Sequence, residues 1–560
     1  MFDALFTTTT EYKKLSHALS GKGACALFGL PASGRAQVYA ALCRQLDKPL
    51  CIVTPGEAEA TRFAADLNTL GIPAAVFPAR DYVLRPIEGT AREYEYRRLA
   101  VLGELVGGRL RAVAVPAEAL TQFTTPKEDF CANTRTLHAG DTLLRDDLLA
   151  ALFGAGYTRR AQVDGPGQFS VRGDIVDIFA PDQKMPVRME FWGDEIDTLH
   201  TFDLTTQRRE DAIDKFYLSP AREVLFGKPA DAAEQLRAFL AKQRGKKKAA
   251  MADCMAADLD LLDGGAVPVN MDKYLAVRYP HPATVLDYFD DPILVAEEPA
   301  SIREADRATA YRRGEELKSL ILDGVLCAGL DNLYADPSYL WSKTGHYRTI
   351  CAENFARSMP DQPLKDIINA PAHTLPAWNG EVAGLLEDLK PLCDAGYTVT
   401  LLAGTDRAAA GLARDLRDKG ILVTTDAAAA PAAGLVQVLA GHLSAGCEFP
   451  FAKYALLTGR AFGETSSQKK KRKKAKDALN SLTEITPGDL VVHQNHGIGR
   501  YAGIQRMAVQ GVTKDYLRIE YDKKDVLYVP VTQLDLLSRY TAPGDSENVK
   551  LSRLGGAEWT

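Results

Sequence analysis

The segment Gly29-Leu30-Pro31-Ala32-Ser33-Gly34-Arg35-Ala36 has the glycine spacing of a loop that cradles phosphates, and it lies between an apolar run and a helical pattern. Such a loop needs a lysine to reach the β- and γ-phosphates and a hydroxyl to hold magnesium. Arg35 stands at the lysine position and Ala36 at the hydroxyl position. Arginine is not a compact point charge, and alanine has no oxygen, so two adjacent losses argue against hydrolysis. An acidic pair to position the metal has one candidate, at the end of Ile293-Leu294-Val295-Ala296-Glu297-Glu298. An ordinary glycine turn and an ordinary strand with a solvated acidic end remain open alternatives for these two segments. No catalytic residue is expected in the chain.

The elements that must position this loop read as alternating strand and helix. Short apolar strands are expected at Ala24–Phe28, Pro49–Thr54 and Ala74–Phe77, with helices over Ser33–Leu46 and Glu57–Leu70 between them. That alternation implies a parallel α/β sheet. From Gln162 to Phe202 the pattern changes to strands and tight turns, with a hairpin around Gly193-Asp194. In that stretch Ile175, Asp177 and Phe179 fall on one face, and Asp174, Val176 and Ile178 on the other. An α/β pattern returns with a strand at Tyr397–Leu402, a helix at Arg407–Lys419 and a strand at Ile421–Thr424. Seven of the eight residues 469–476 are Lys or Arg, which reads as a solvated linker. Beyond it, short strands at Leu490–His493, Gly499–Met507, Tyr516–Asp522 and Val526–Val531 suggest a small barrel.

Composition bounds the function. The 560 residues suffice for several domains, and 46% hydrophobic with 25% charged residues is the balance of a globular chain. A formal charge of −6 excludes a general nucleic-acid coat, which would present a broad basic face. The nine cysteines are scattered, with no zinc-knuckle or thioredoxin spacing, as in a reducing cytosol. The amino terminus lacks the pattern of a signal peptide, and no apolar run is long enough for a bilayer. A cytoplasmic protein without membrane contact is expected.

Two stretches are more specific. Val171-Arg172-Gly173-Asp174-Ile175-Val176-Asp177-Ile178-Phe179, followed by Val187-Arg188-Met189-Glu190-Phe191-Trp192-Gly193-Asp194-Glu195-Ile196-Asp197, resembles the UvrA-binding domain of the excision-repair protein UvrB. Pro487-Gly488-Asp489-Leu490-Val491-Val492-His493-Gln494-Asn495-His496-Gly497-Ile498-Gly499-Arg500-Tyr501, with Leu527-Tyr528-Val529-Pro530-Val531, resembles the RNA-polymerase-interaction domain shared with CarD-type regulators. The two modules in this order resemble the bacterial transcription-repair coupling factors, best over 1–120, 160–220 and 450–545.

The resemblance implies a multidomain α/β plus all-β fold. Residues 1–119 and 214–345 would form a degenerate P-loop NTPase-like (RecA-like) domain, and 120–213 an inserted α+β UvrA-binding domain. A second α/β domain of unknown role would span 346–464, a basic linker 465–484, and a small Tudor/CarD-like β-barrel 485–545. It implies partners as well: UvrA, the β subunit of RNA polymerase, and double-stranded DNA through an ATP- and Mg2+-dependent motor. That motor is expected after the barrel, so a chain stopping at Gly555-Gly556-Ala557-Glu558-Trp559-Thr560 reads as truncated before it, needing no cofactor of its own.

For site residues, the resemblance together with the preference of interfaces for exposed Arg and aromatic anchors points to Arg172, Phe179, Arg159 and Arg160 for UvrA. For the polymerase it points to the loop carrying His493, Gln494, Asn495, His496, Gly497, Gly499, Arg500 and Tyr501, where the glycines allow close backbone approach. His493 and His496 are metal-ligand types, but no neighbouring Cys or acid completes a set, so no metal is expected. Two other functions fit parts of the chain. An active UvrB-type helicase subunit would need Lys at position 35 and a hydroxyl at 36, and a stand-alone CarD-type regulator would not carry the long UvrB-like module.

Overall fold

In the computed structural model the described residues are 6–86, 92–357, 359, 362–378, 382–430, 432–459, 487–493, 496–509, 512–522, 525–530, 537–540 and 551–552. The basic linker at 465–484 lies outside them. So do Gln494, Asn495 and the terminal segment 555–560.

The expected parallel sheet is present and has seven strands. In spatial order they are Leu364–Asn369, Gly23–Phe28, Arg348–Glu353, Ile293–Glu297, Leu50–Thr54, Ala112–Pro116 and Ala74–Val76. The strands between the two edges are near-continuous apolar runs because helices cover both faces, so every side chain meets a core. The domain boundary expected at 345/346 is corrected here. Arg348–Glu353 and Leu364–Asn369 pair on either side of Gly23–Phe28, so this domain runs to about residue 370. Local sequence could not assign the two strands to a sheet, because parallel pairing joins segments more than 300 residues apart.

The antiparallel insert forms a six-stranded sheet in the order Arg209–Ala212, Glu195–Phe202, Val187–Trp192, Ile175–Phe179, Gln168–Arg172 and Thr158–Arg159. Its ends are also corrected. Arg135–His138 pairs with Lys215–Leu218, so the insert leaves and rejoins the α/β frame near 134 and 219 rather than at 120 and 213. One face of the sheet carries Phe169, Val176, Ile178, Met189 and Phe191 into a core closed by the helix Arg145–Gly154.

A third, mixed sheet begins at His373–Leu375 and contains Thr398–Leu402, the expected strand, followed by the helix Asp406–Asp418. Thr405 caps that helix with its side chain accepting from the Ala408 backbone N–H. The last unit is a five-stranded antiparallel sheet in the order Val526–Pro530, Val512–Glu520, Gly497–Val509, Leu490–His493 and Leu537–Arg539. Leu517, Ile519 and Tyr521 enter its core while Tyr516, Arg518 and Glu520 stay half-buried, as the alternation required. Ser552 also belongs to this unit. Its backbone exchanges hydrogen bonds with Ile498 and Asp522, so the packed module extends past residue 545.

Among the described residues no helix is long and apolar enough to cross a membrane.

Candidate functional site

The loop with phosphate-loop spacing is closed by Arg35. Gly29 has φ +89, and the helix Ala32–Leu46 starts immediately after the loop, so the backbone retains the strand-loop-helix geometry. Arg35, nearly buried, donates from Nη1 and Nη2 to Glu298 Oε1 at 2.8 and 2.9 Å. Its Nε lies 3.0 Å from Glu297 Oε2. The Tyr39 hydroxyl donates to Glu297 Oε1 at 2.5 Å. The two acidic residues at the strand end therefore hold the arginine that stands where lysine would be. Burial raises the Glu297 carboxyl above its ordinary value in spite of the Arg35 charge beside it.

A second element seals the loop from outside. A Cβ added at Gly34 would lie 2.8 Å from Cys447 Sγ and 3.4 Å from the Phe449 ring, because the strand Gly446–Phe449 of the third sheet crosses it. A Cβ at Gly29 would meet Asn369 and the Ala370 carbonyl at 3.0 and 3.1 Å. Incoming phosphates would have to displace both the ion pairs and this strand. Ser33 contributes to the closure, its hydroxyl lying 3.5 Å from the Gly446 carbonyl, and Ala36 is fully buried.

The insert presents its second face outward. Strand register aligns Arg172 with Ile175 and Ile175 with Glu190, and Trp192 follows two residues later on the same face. Trp192 is 82% exposed, the form in which an aromatic anchor waits for a partner. Arg172, also exposed, donates to Asp177 at 2.6 Å. Asp177 is buried and is held independently by Arg188, from Nε at 2.7 Å and Nη2 at 3.0 Å. Arg172 is thereby oriented without being the group that neutralises Asp177.

Phe179 is not part of this surface. It is 6% exposed and packs with Val163 and Phe202, so its assignment as a UvrA contact is withdrawn. Arg159 and Arg160 are exposed on and beyond the outermost strand. Arg159 aligns with Phe169, three residues from Arg172, which puts the two arginines about 10 Å apart along the strands. Trp192 was passed over in the sequence, although its alternation with buried Met189 and Phe191 already pointed it outward.

The barrel loop also departs from expectation. His493 is fully buried, and Tyr501 is nearly so. His496 Nε2 lies 2.7 Å from Glu93 Oε1, and His493 Nε2 lies 4.0 Å from the same oxygen. Glu93 is the first residue of the helix Glu93–Val106 in the α/β domain. His493, His496 and Tyr501 thus face inward, two of them toward that helix, and are withdrawn as polymerase contacts. The acid that the local sequence lacked is supplied from 400 positions away. Burial pushes His493 down to about 4, so it is neutral at pH 7. Burial also works to raise Glu93, but the His496 hydrogen bond and the neighbouring imidazoles outweigh it and hold the carboxyl at about 2.

Gly497 has φ +74 and makes the turn. Gly499 does not need positive φ. It is required because a Cβ there would stand 2.4 Å from Ile519 Cγ2 and 3.0 Å from the Tyr521 ring. Arg500 is exposed. Val526–Pro530 and Leu537–Arg539 are the edge strands among the described residues, each paired on one side.

Comparison with known proteins agrees with both modules. The UvrB interaction domain family matches residues 136–224, and the CarD-like/TRCF RID domain family matches residues 485–541. Over 548 residues, 95% of this chain, it is 28% identical to the transcription-repair-coupling factor of Bacillus subtilis (strain 168), covering 46% of that relative. It is 27% identical over 549 residues to that of Staphylococcus haemolyticus (strain JCSC1435), and 26% over 545 residues to that of Staphylococcus aureus (strain MRSA252), again covering 95% of this chain and 46% of each relative. The chain spans about half the length of the curated relatives it matches.

Proposed function

We propose that this chain, like the coupling factors it is similar to, joins RNA polymerase stalled at DNA damage to the excision-repair machinery in the cytoplasm. The observation that carries the reading is the presence of both a UvrB interaction module and a CarD-like module on one scaffold. The insert would recruit UvrA through the face bearing Arg172 and Trp192. The barrel would dock on the polymerase β subunit through an edge strand, where main-chain hydrogen bonds supply affinity and side chains tune it. In the whole protein an ATP- and Mg2+-dependent motor would move on double-stranded DNA and displace the polymerase.

The polymerase assignment has a direct test. The full chain should retain purified core polymerase in a pull-down, and residues 1–459 alone should not. Equal retention by the two would place docking in the α/β modules instead.

The α/β scaffold itself would bind no nucleotide. Arg35→Lys combined with Ala36→Thr should therefore release no phosphate above background in the presence of magnesium, because the Gly446–Phe449 strand still crosses the loop. Magnesium-dependent turnover that a Gly34 substitution abolishes would contradict this.

A further inference from the structure

We infer that Glu93, His493 and His496 form a binding site for a zinc-class divalent transition ion at the seam between the barrel and the α/β domain. One donor atom from each residue lies within 4.8 Å of the other two. A tetrahedral ion with bonds of about 2.0–2.1 Å holds its ligand atoms about 3.3–3.4 Å apart. The two separations from Glu93 Oε1, 2.7 Å to His496 and 4.0 Å to His493, bracket that edge, so shifts of about half an ångström close the site.

The surroundings favour an ion over a simple ion pair. Glu93 is 8% exposed and its Oε2 is buried with no hydrogen-bond partner, as is Nδ1 of His496. A buried carboxylate that uses only one oxygen has left its stronger option unmade. The imidazole rings stand with centroids 4.7 Å apart, and the His496 backbone N–H donates to the His493 carbonyl at 3.3 Å. Two imidazoles and one carboxylate are a borderline donor set suited to Zn2+, with a position left for water.

Binding would replace the direct contact of His496 Nε2 with Glu93 Oε1 by a bond from each atom to the ion. The ion would then staple the barrel to the helix Glu93–Val106 and set the direction in which its edge strands face.

The test uses the tag-free full chain, stripped with chelator and titrated with Co2+ and then Zn2+. One Co2+ per chain is expected, with the visible absorption of a four- or five-coordinate nitrogen and oxygen site and no thiolate charge-transfer band, which separates it from the nine free cysteines. Zn2+ should displace the Co2+. Glu93→Gln and His496→Asn should each weaken Zn2+ at least ten-fold, while His346→Asn, at an exposed histidine elsewhere, should change nothing. If Glu93→Gln lost its fold by circular dichroism, His496→Asn at the less buried position would still decide. Failure of the wild-type chain to bind either ion, a thiolate spectrum, or unchanged affinity in the folded variants would overturn the site.

Discussion

Glu223→Ala is expected to destabilise the α/β module by about 3–5 kcal/mol, because it strands the buried Arg98 and takes one carboxylate partner from the buried Arg80. Arg98 donates to Glu223 from Nε at 2.7 Å and from Nη2 at 3.1 Å, and both residues are fully buried. Arg80 Nε stands 3.1 Å from the same carboxylate and also binds Asp272 at 2.7 and 3.1 Å. The Glu223 backbone N–H donates to Glu95 Oε1, and its carbonyl accepts from Thr125 and Tyr279. The network therefore ties the helix Glu93–Val106, the return of the insert and the segment at Asp272 into one body. Removing a carboxylate from it exposes no charge to water and leaves no replacement anion for Arg98. Urea unfolding should show a lower midpoint, and Arg98→Ala with Glu223→Ala should cost less than the sum of the single changes. A loss below 1 kcal/mol for Glu223→Ala would mean that Asp272 and Glu95 suffice for both arginines.

Trp192→Ala should lower affinity for UvrA by about 2 kcal/mol or more while leaving thermal stability unchanged. The side chain is 82% exposed, so truncation forfeits almost no core contact in the free chain. Arg172→Ala should behave alike, because Asp177 keeps its two hydrogen bonds from Arg188. Arg188→Ala provides the contrast. It leaves the buried Asp177 without its main partner, so it should reduce stability as well as binding. Calorimetric titration of UvrA into each folded variant separates the cases. Matching affinities for wild type, Trp192→Ala and Arg172→Ala would move the docking face elsewhere on the insert.

Local periodicity made much of the architecture legible. The strands flanking the phosphate loop, the alternation in Ile175–Phe179 and the inward set Leu517, Ile519 and Tyr521 follow from apolar spacing, which records burial directly. That the loop carries neither a lysine nor a hydroxyl at these two positions was also legible, because Arg35 and Ala36 are fixed by the sequence whatever surrounds them.

Tertiary structure alone decided where those groups point and what they meet. Arg35 could have been a solvated charge, and its capture by Glu297 and Glu298 depends on Ile293–Glu297 lying in the same sheet as Gly23–Phe28, one strand away from it. Phe179 and Trp192 are both aromatics in strands of the same sheet, yet one is covered by Val163 and Phe202 and the other is left exposed among the described residues. His493 and His496 had no acid within reach in sequence, and Glu93 reaches them only because the barrel sits on a helix from another domain. Composition and spacing determine which groups a chain owns and how its strands alternate. Contacts between segments hundreds of residues apart depend on the packing of whole domains, which no local pattern encodes.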